Sequence, residues 1–221
     1  MVIIMRNFFD KQLAILHESL IEMGNKCEDA IKMAVNSLFD ENPDMKESLE
    51  RISETEKDIN EMERDIENMC MKLLLKQQPV AGDLRMVSSA LRMISDMERI
   101  GDQSLDIVEI SDYVRGKEIS GKIHLQAMAT AVTKMVNDSI TAFVKKDLEL
   151  ARYVLSYDEI VDDFFDKIKK ELIELLSKGD KNGEVFIDLL MIAKYLERIG
   201  DHATNIAESV EFYLTGTREY N

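Results

Sequence analysis

The chain has 221 residues, of which 45% are hydrophobic and 32% charged. Its 9 Gly and 2 Pro are few for this length, which excludes a β-fold built on many tight turns. The 28 basic and 43 acidic residues leave a net charge of −15, which would repel nucleic acid and anionic lipid. The composition therefore predicts long helices and no nucleic-acid partner.

The chain carries no sign of export or membrane insertion. Its N-terminus has a short apolar run without a small-residue cleavage site, and no run of about 18 apolar residues is present. Cys27 and Cys70 lie far apart and form no CxxC pair, which is not typical of a zinc ribbon or a disulfide framework. We expect a cytoplasmic protein without membrane insertion.

Apolar residues recur at helical spacing in six long segments. We predict helices at 7–41, 44–77, 81–115, 121–146, 148–178 and 183–215. Turn residues such as Asn42-Pro43-Asp44 separate them, and Asp83 suits the N-cap of the third helix. Short loops between long helices make neighbours antiparallel, so we predict helical bundles.

The sequence Glu-Arg-Ile-Gly-Asp occurs twice, at 98–102 in the third helix and at 197–201 in the sixth. This duplication predicts an all-α fold of two similar three-helix bundles, formed by 1–116 and 117–221. Gly101 interrupts a good helix at a cost of about 1 kcal/mol relative to Ala, as its equivalent Gly200 does. We therefore expect a close helix approach or room for an ion at both glycines.

Each copy of the repeated sequence places a carboxylate on an apolar helix face. Glu98 shares a face with Val87 and Ile94, and Asp102 and Asp106 continue along its edge. In the sixth helix Glu197 and Asp201 repeat the pattern. A carboxylate among apolar side chains is costly unless a partner neutralises it, and converging carboxylates repel one another.

The preceding helix of each repeat offers a second acidic pair. Asp158 and Asp162 lie one turn apart in the fifth helix, and Glu56 and Asn60 occupy the similar place in the second. Sets of oxygen ligands suit hard cations such as Mg²⁺, Mn²⁺, Ca²⁺ or iron. The other interpretation is a solvated acidic surface, which is the usual role of a single pair in so acidic a chain.

The motifs of common catalytic sites are absent from the sequence. There is no ExxH, no HExxH and no GxxxxGK phosphate loop, so we do not predict an enzyme. His17, His124 and His202 are isolated in the sequence, and we expect them on the surface. Arg99 is expected either to pair with acids on a neighbouring helix or to form a surface ion pair.

Three segments resemble the PhoU family of phosphate-signalling proteins, and the resemblance spans nearly the whole chain. They are Met5–Asp10, the loop Gln78–Arg85 and the duplicated Glu-Arg-Ile-Gly-Asp. The resemblance implies a negative regulator of the phosphate-starvation response that also modulates phosphate uptake. It further implies an adaptor, expected to be a homodimer, between the ATPase of a phosphate ABC transporter and a sensor histidine kinase.

The resemblance also implies metal sites, because the family's E/D-x-x-x-D motifs bind multinuclear clusters. Three pairs match these motifs in full, namely Glu98-Asp102, Asp158-Asp162 and Glu197-Asp201, whereas Glu56-Asn60 departs at its second position. The metal is expected to be Fe, Zn, Mg or Mn. Two other functions stay open: a metal-dependent enzyme of the carboxylate-bundle type, and a histidine phosphotransfer bundle that uses His17 or His124.

Overall fold

The computed structural model describes residues 2–40, 44–77, 81–115, 122–178 and 182–217, and every regular element in these residues is an α-helix. The helices are α1 (Val2–Phe39), α2 (Met45–Gln77), α3 (Ala81–Val114), α4 (Lys122–Lys145), α5 (Leu148–Ser177) and α6 (Gly183–Thr215). The all-α prediction is confirmed. No helix in these ranges is long and apolar enough to cross a membrane.

The helix ends differ from the predicted ones by a few residues. The first helix begins at Val2, earlier than predicted, and α3 begins at Ala81, which places Asp83 inside the first turn instead of at the N-cap. The turn residues 42–43, the loop residues 78–80 and the predicted domain boundary at 116–117 lie outside the described residues.

The helices form two similar three-helix bundles, as predicted. Helices α1, α2 and α3 pack on one another, and so do α4, α5 and α6. The bundles join where α3 packs along α6 and α1 packs on α4, while in the described residues α2 and α5 contact only helices of their own bundle. Leu, Ile, Val and Met fill the core, and each fully buried one stabilises the fold by about 1.5–3 kcal/mol.

Equivalent residues of the two repeats meet where α3 packs on α6. The Nε2 atoms of Gln103 and His202, which lie one repeat length of 99 residues apart, are 3.3 Å from each other. Two hydrogen bonds are related to each other by the same offset: Asn205 to Asp96 at 2.9 Å, and Tyr195 to Asp106. Such reciprocal contacts are typical of a twofold interface, so an approximate twofold axis relates the repeats.

The expectation that the three histidines are isolated surface residues is wrong. His202 Nδ1 lies 2.9 Å from Asp96 Oδ1 and its side chain is 20% exposed, because this face of α6 packs on α3. His124 Nδ1 lies 3.0 Å from a carboxylate oxygen of Glu171. The ring of His17 stacks on Phe143 with 4.9 Å between centroids.

Glycine lets the helices of each bundle approach closely at equivalent points. A Cβ atom built on Gly101 would lie 3.0 Å from Ile59 Cδ1, so α2 and α3 have almost no space between them there. A Cβ on Gly200 would lie 3.4 Å from Val161 Cγ1, which is ordinary contact. The close approach expected from the sequence is therefore present in both repeats and is tighter in the first.

We predict opposite effects of alanine at the two glycines. Gly200→Ala gains helix propensity without a clash and should raise the free energy of unfolding by up to about 1 kcal/mol. Gly101→Ala overpacks the contact with buried Ile59 and should lower it by about 1 kcal/mol. Denaturant unfolding measures both.

Adding Ile59→Val to Gly101→Ala places Ala beside Val, which is the pair that Gly200→Ala forms with Val161. The double-mutant cycle should give a favourable coupling of at least about 0.5 kcal/mol. Equal effects of alanine at Gly101 and Gly200, with no coupling to Ile59, would show that the tight approach does not govern this position.

Candidate metal centre

Four carboxylates of the second repeat lie along the contact between α5 and α6. We call them the second-repeat cluster: Asp158 and Asp162 on α5, and Glu197 and Asp201 on α6. A carboxylate oxygen of Asp158 would lie 3.9 Å from a Cβ on Gly200, and it accepts a hydrogen bond from Thr204 Oγ1 at 3.3 Å. Asp158 therefore lies beside Gly200, between the two helices.

Three carboxylates of the second-repeat cluster, Asp158, Asp162 and Asp201, have raised pKa values. Burial raises the pKa of Asp158 most, followed by the charges of Asp162 and Glu197, while the hydrogen bond from Thr204 opposes the rise. The pKa of Asp201 is raised by burial and then by Glu197 and Asp158. The pKa of Asp162 is raised by burial and then by Glu197. The four groups therefore face a common region in which negative charge is costly.

One cation of the chain lies beside this cluster. Lys194 donates a hydrogen bond to Glu197, whose side chain is 15% exposed, and its charge lowers the pKa of Asp162 and Asp201. A single ammonium leaves the four carboxylates with a formal charge of −3. Sequence analysis missed Lys194 and Thr204, although each lies three residues from a cluster carboxylate on α6.

The corresponding groups of the first repeat are Glu56, Asn60, Glu98 and Asp102, which we call the first-repeat cluster. Glu98 is 21% and Asp102 35% exposed, and Arg99 approaches both carboxylates at 3.5 and 3.7 Å. Asn60 Nδ2 donates to Glu56 Oε1. Arg99 thus forms ion pairs within its own helix. The expectation that it pairs with an acid of a neighbouring helix is wrong.

The first-repeat cluster is also electrostatically strained. Burial raises the pKa of Glu98 most, and Asp102 adds to the rise while Arg99 opposes it. Glu63 is close enough to raise the pKa of Glu98 further, and its own pKa is raised by burial and by Glu67. Each cluster has one cation beside it, so the amide of Asn60, in the place of a fourth carboxylate, makes the first-repeat cluster one charge less negative than its counterpart.

Asp106, the remaining predicted ligand, faces the contact between the repeats. The pKa of Asp106 is raised, most by burial and then by the charges of Glu109 and Asp102. A hydrogen bond with Tyr195 on α6 and the charge of Arg198 oppose this rise. Asp106 therefore joins α3 to α6 while it adds negative charge near the first-repeat cluster.

The carboxylates of the two clusters are suitable ligands for a cation, but their side chains are not arranged around a common point. In the described part of the chain, no three His, Cys, Asp or Glu side chains are placed to hold a metal ion together. Oxygen ligands with raised pKa values nevertheless suit a hard cation, which would remove their repulsion. Ligation requires rotation of the Asp and Glu side chains toward one point between the helices.

The fold and the clusters define a class of duplicated three-helix-bundle proteins with carboxylates between the second and third helices of each repeat. The family model described as the PhoU domain matches residues 20–111 and again 125–210. The chain therefore belongs to the PhoU domain family, as its sequence resemblance predicted.

Relatives match the chain over nearly its full length. A protein of Clostridium acetobutylicum named phosphate-specific transport system accessory protein PhoU homolog is 32% identical over 96% of each chain. A Synechocystis protein with the same name is 34% identical, over 97% of this chain and 94% of the relative.

Two crystal structures share the fold. PhoU from Pseudomonas aeruginosa is similar with a TM-score of 0.89 at 32% identity, covering 95% of this chain and 100% of that chain. The phosphate transport system regulatory protein PhoU from Streptococcus pneumoniae gives a TM-score of 0.86 at 27% identity, covering 96% and 100%.

The raised pKa values predict how stability depends on pH in metal-free buffer. The native state binds protons more tightly than the unfolded chain at Asp158, Asp162 and Asp201. Their contribution to stability is therefore present in full below the unfolded-state pKa of about 4 and is lost as the pH rises through the raised native pKa values.

Asp201→Asn should accordingly raise the free energy of unfolding at pH 7 by up to about 1 kcal/mol and change it little at pH 3. Asp188→Asn, elsewhere on α6, makes the same change in net charge and is the control. Urea unfolding in EDTA across this pH range is the measurement. A loss of stability at pH 7, or an equal gain from Asp188→Asn, would contradict repulsion within the cluster.

Proposed function

We propose that this chain is an accessory regulator of a phosphate transport system. The observation that supports it most is the match of both repeats, over nearly the whole chain, to relatives named for that role. On this proposal the protein acts at the cytoplasmic side as a homodimeric adaptor between the transporter ATPase and a sensor histidine kinase. It restrains the phosphate-starvation response and modulates phosphate uptake.

The proposal is regulation by contact instead of catalysis. The sequence contains no ExxH motif, which is typical of carboxylate-bundle oxidases. A phosphotransfer histidine must present a ring nitrogen to its partner, and the Nε2 atom of His17 is buried. The missing motif and this burial favour an adaptor over an oxidase and over phosphotransfer by His17.

We further propose that hard cations bind between the helices, first at the second-repeat cluster. Asp158 and Asp162 would hold the cation from α5, and Glu197 and Asp201 would hold it from α6. The bound ion supplies positive charge that joins two helices whose carboxylates otherwise repel each other. Lys194 neutralises part of the charge in the absence of metal and would have to release Glu197.

We predict that the two clusters contribute unequally to metal binding. In the native protein Mn²⁺ should raise the melting temperature, equivalent to about 2.7 kcal/mol at a hundredfold excess over Kd. Glu197→Gln with Asp201→Asn should abolish most of this rise. Glu98→Gln with Asp102→Asn should reduce it less, because Asn60 leaves the first-repeat cluster with one carboxylate fewer.

The matched pair of double variants is compared by thermal unfolding and by elemental analysis after dialysis. Both double variants remove two charges from the same positions of their repeats, so net charge does not separate them. If neither changes the response to Mn²⁺, or if the first-repeat variant loses more, the assignment of the principal site to the second repeat is wrong.

We also predict a change in gene expression when the gene is deleted. Cells grown in abundant phosphate should then express phosphate-starvation genes, because the proposed restraint on the kinase is gone. Reporter expression with and without a plasmid copy of the gene measures this effect. Unchanged expression in a strain that has no second copy would contradict the regulatory role while leaving the metal sites untouched.

A further inference from the structure

An open groove of about 520 Å³ lies where the two repeats meet, and none of the two clusters' residues line it. Its walls come from α1, from the first turns of α3, from the end of α4 and from the end of α6. The polar and charged side chains that line the groove are His17, Glu18, Asp83, Arg85, Lys146 and Tyr213. The groove has the size of small-molecule sites, which commonly measure 300–1,000 Å³.

Two cations, Arg85 and Lys146, line this groove. Among the described residues, neither Arg85 nor Lys146 forms an ion pair, in a chain with 43 acidic residues. Arg85 Nε donates to the carbonyl oxygen of Tyr213 at 3.4 Å, and Lys146 Nζ lies 5.9 Å from the centroid of the Tyr213 ring. Tyr213 thus positions both cations while leaving most of their N–H donors for another acceptor.

Lys146 lines the groove although its backbone conformation is one that glycine usually adopts. Its φ of 54° lies in the left-handed region, and it is the one non-glycine residue with positive φ in the described chain. Backbone hydrogen bonds from Lys146 to Phe143 and from Asp147 to Ala142 close α4 at this point. Glycine is the usual residue there, because a side chain destabilises this conformation. Residues retained in such conformations are often functional.

A ring nitrogen in the groove wall lacks a hydrogen-bond partner. His17 stacks on Phe143, whose centroid lies 6.3 Å from that of Tyr213, and the buried Nε2 of His17 contacts no polar group. Burial and then the charge of Lys146 lower the pKa of His17. Because Nε2 is covered by protein, a phosphate in the groove would act on His17 only by offsetting the charge of Lys146.

Two carboxylates in the same groove restrict the ligand. Glu18 and Asp83 would repel a bare anion that filled the space between them. A molecule with a phosphate at one end and hydroxyl or amino donors at the other would complement both the cations and the carboxylates of the groove. Arginine and lysine bind phosphate oxygens, and carboxylates accept hydrogen bonds from hydroxyl and amino groups.

We propose that this groove binds a phosphorylated metabolite of about nucleotide size, whose phosphate contacts Arg85 and Lys146 and whose hydroxyl or amino groups donate to Glu18. Binding in this groove does not depend on the proposed regulatory function. A bound ligand would connect α1 and α3 of one repeat with α4 and α6 of the other.

The test is calorimetric titration of the full chain in EDTA, with AMP and ribose 5-phosphate as probes. We expect saturable binding of at least one probe, none of adenosine, and binding of inorganic phosphate at least tenfold weaker. Arg85→Gln should weaken probe binding at least tenfold. Lys145 precedes Lys146 in the chain but does not line the groove, so Lys145→Gln should leave binding unchanged. The far-ultraviolet circular dichroism spectrum checks that each variant is folded.

Lys146→Gly separates a structural role from a binding role. Relief of the strained backbone should raise the melting temperature by about 2–4 °C, while probe binding falls at least tenfold. Absence of saturable binding by both probes at millimolar concentration would overturn the proposal. Equal affinity for AMP and inorganic phosphate, or equal losses from Arg85→Gln and Lys145→Gln, would also overturn it.

Discussion

In both repeats the packing of the second helix on the third places carboxylates on helix faces that contact another helix. Negative charge in such a place is disfavoured by burial and by its neighbours, and the raised pKa values of Glu98, Asp158 and Asp201 reflect both causes. A chain that needed only a stable core would be expected to carry apolar or neutral residues there. The helix crossings at Gly101 and Gly200 bring the charges together, so the packing and the proposed ligand chemistry have a common origin.

Duplication gives the two repeats the same frame but different charge. Reciprocal contacts around Gln103 and His202 relate them by an approximate twofold axis. One cation lies beside each cluster, Arg99 in the first repeat and Lys194 in the second, but Asn60 replaces one carboxylate in the first. This difference in charge is the reason that we propose unequal cation binding by the two repeats. The contact between the repeats also creates the groove that contains Arg85 and Lys146, which neither bundle forms alone.

Much of this could be predicted from the sequence, because helical periodicity and the repeated Glu-Arg-Ile-Gly-Asp fix the elements and their pairing. The close approach at Gly101 followed from a costly residue kept twice. Sequence alone did not place His202, because its environment depends on which face of α6 meets α3. It missed Thr204 and Lys194 because a single polar residue near an acid carries no distinctive pattern. The groove was missed because its residues come from four separate segments.

The most direct test of the central claim is a crystal structure of the protein grown with Mn²⁺, with anomalous scattering measured at the manganese edge. Cation binding at the second-repeat cluster predicts an anomalous peak between α5 and α6, with oxygens of Asp158, Glu197 and Asp201 around it and Lys194 displaced from Glu197. An ordered crystal at millimolar Mn²⁺ with no peak between these helices, and with Lys194 still paired to Glu197, would contradict it.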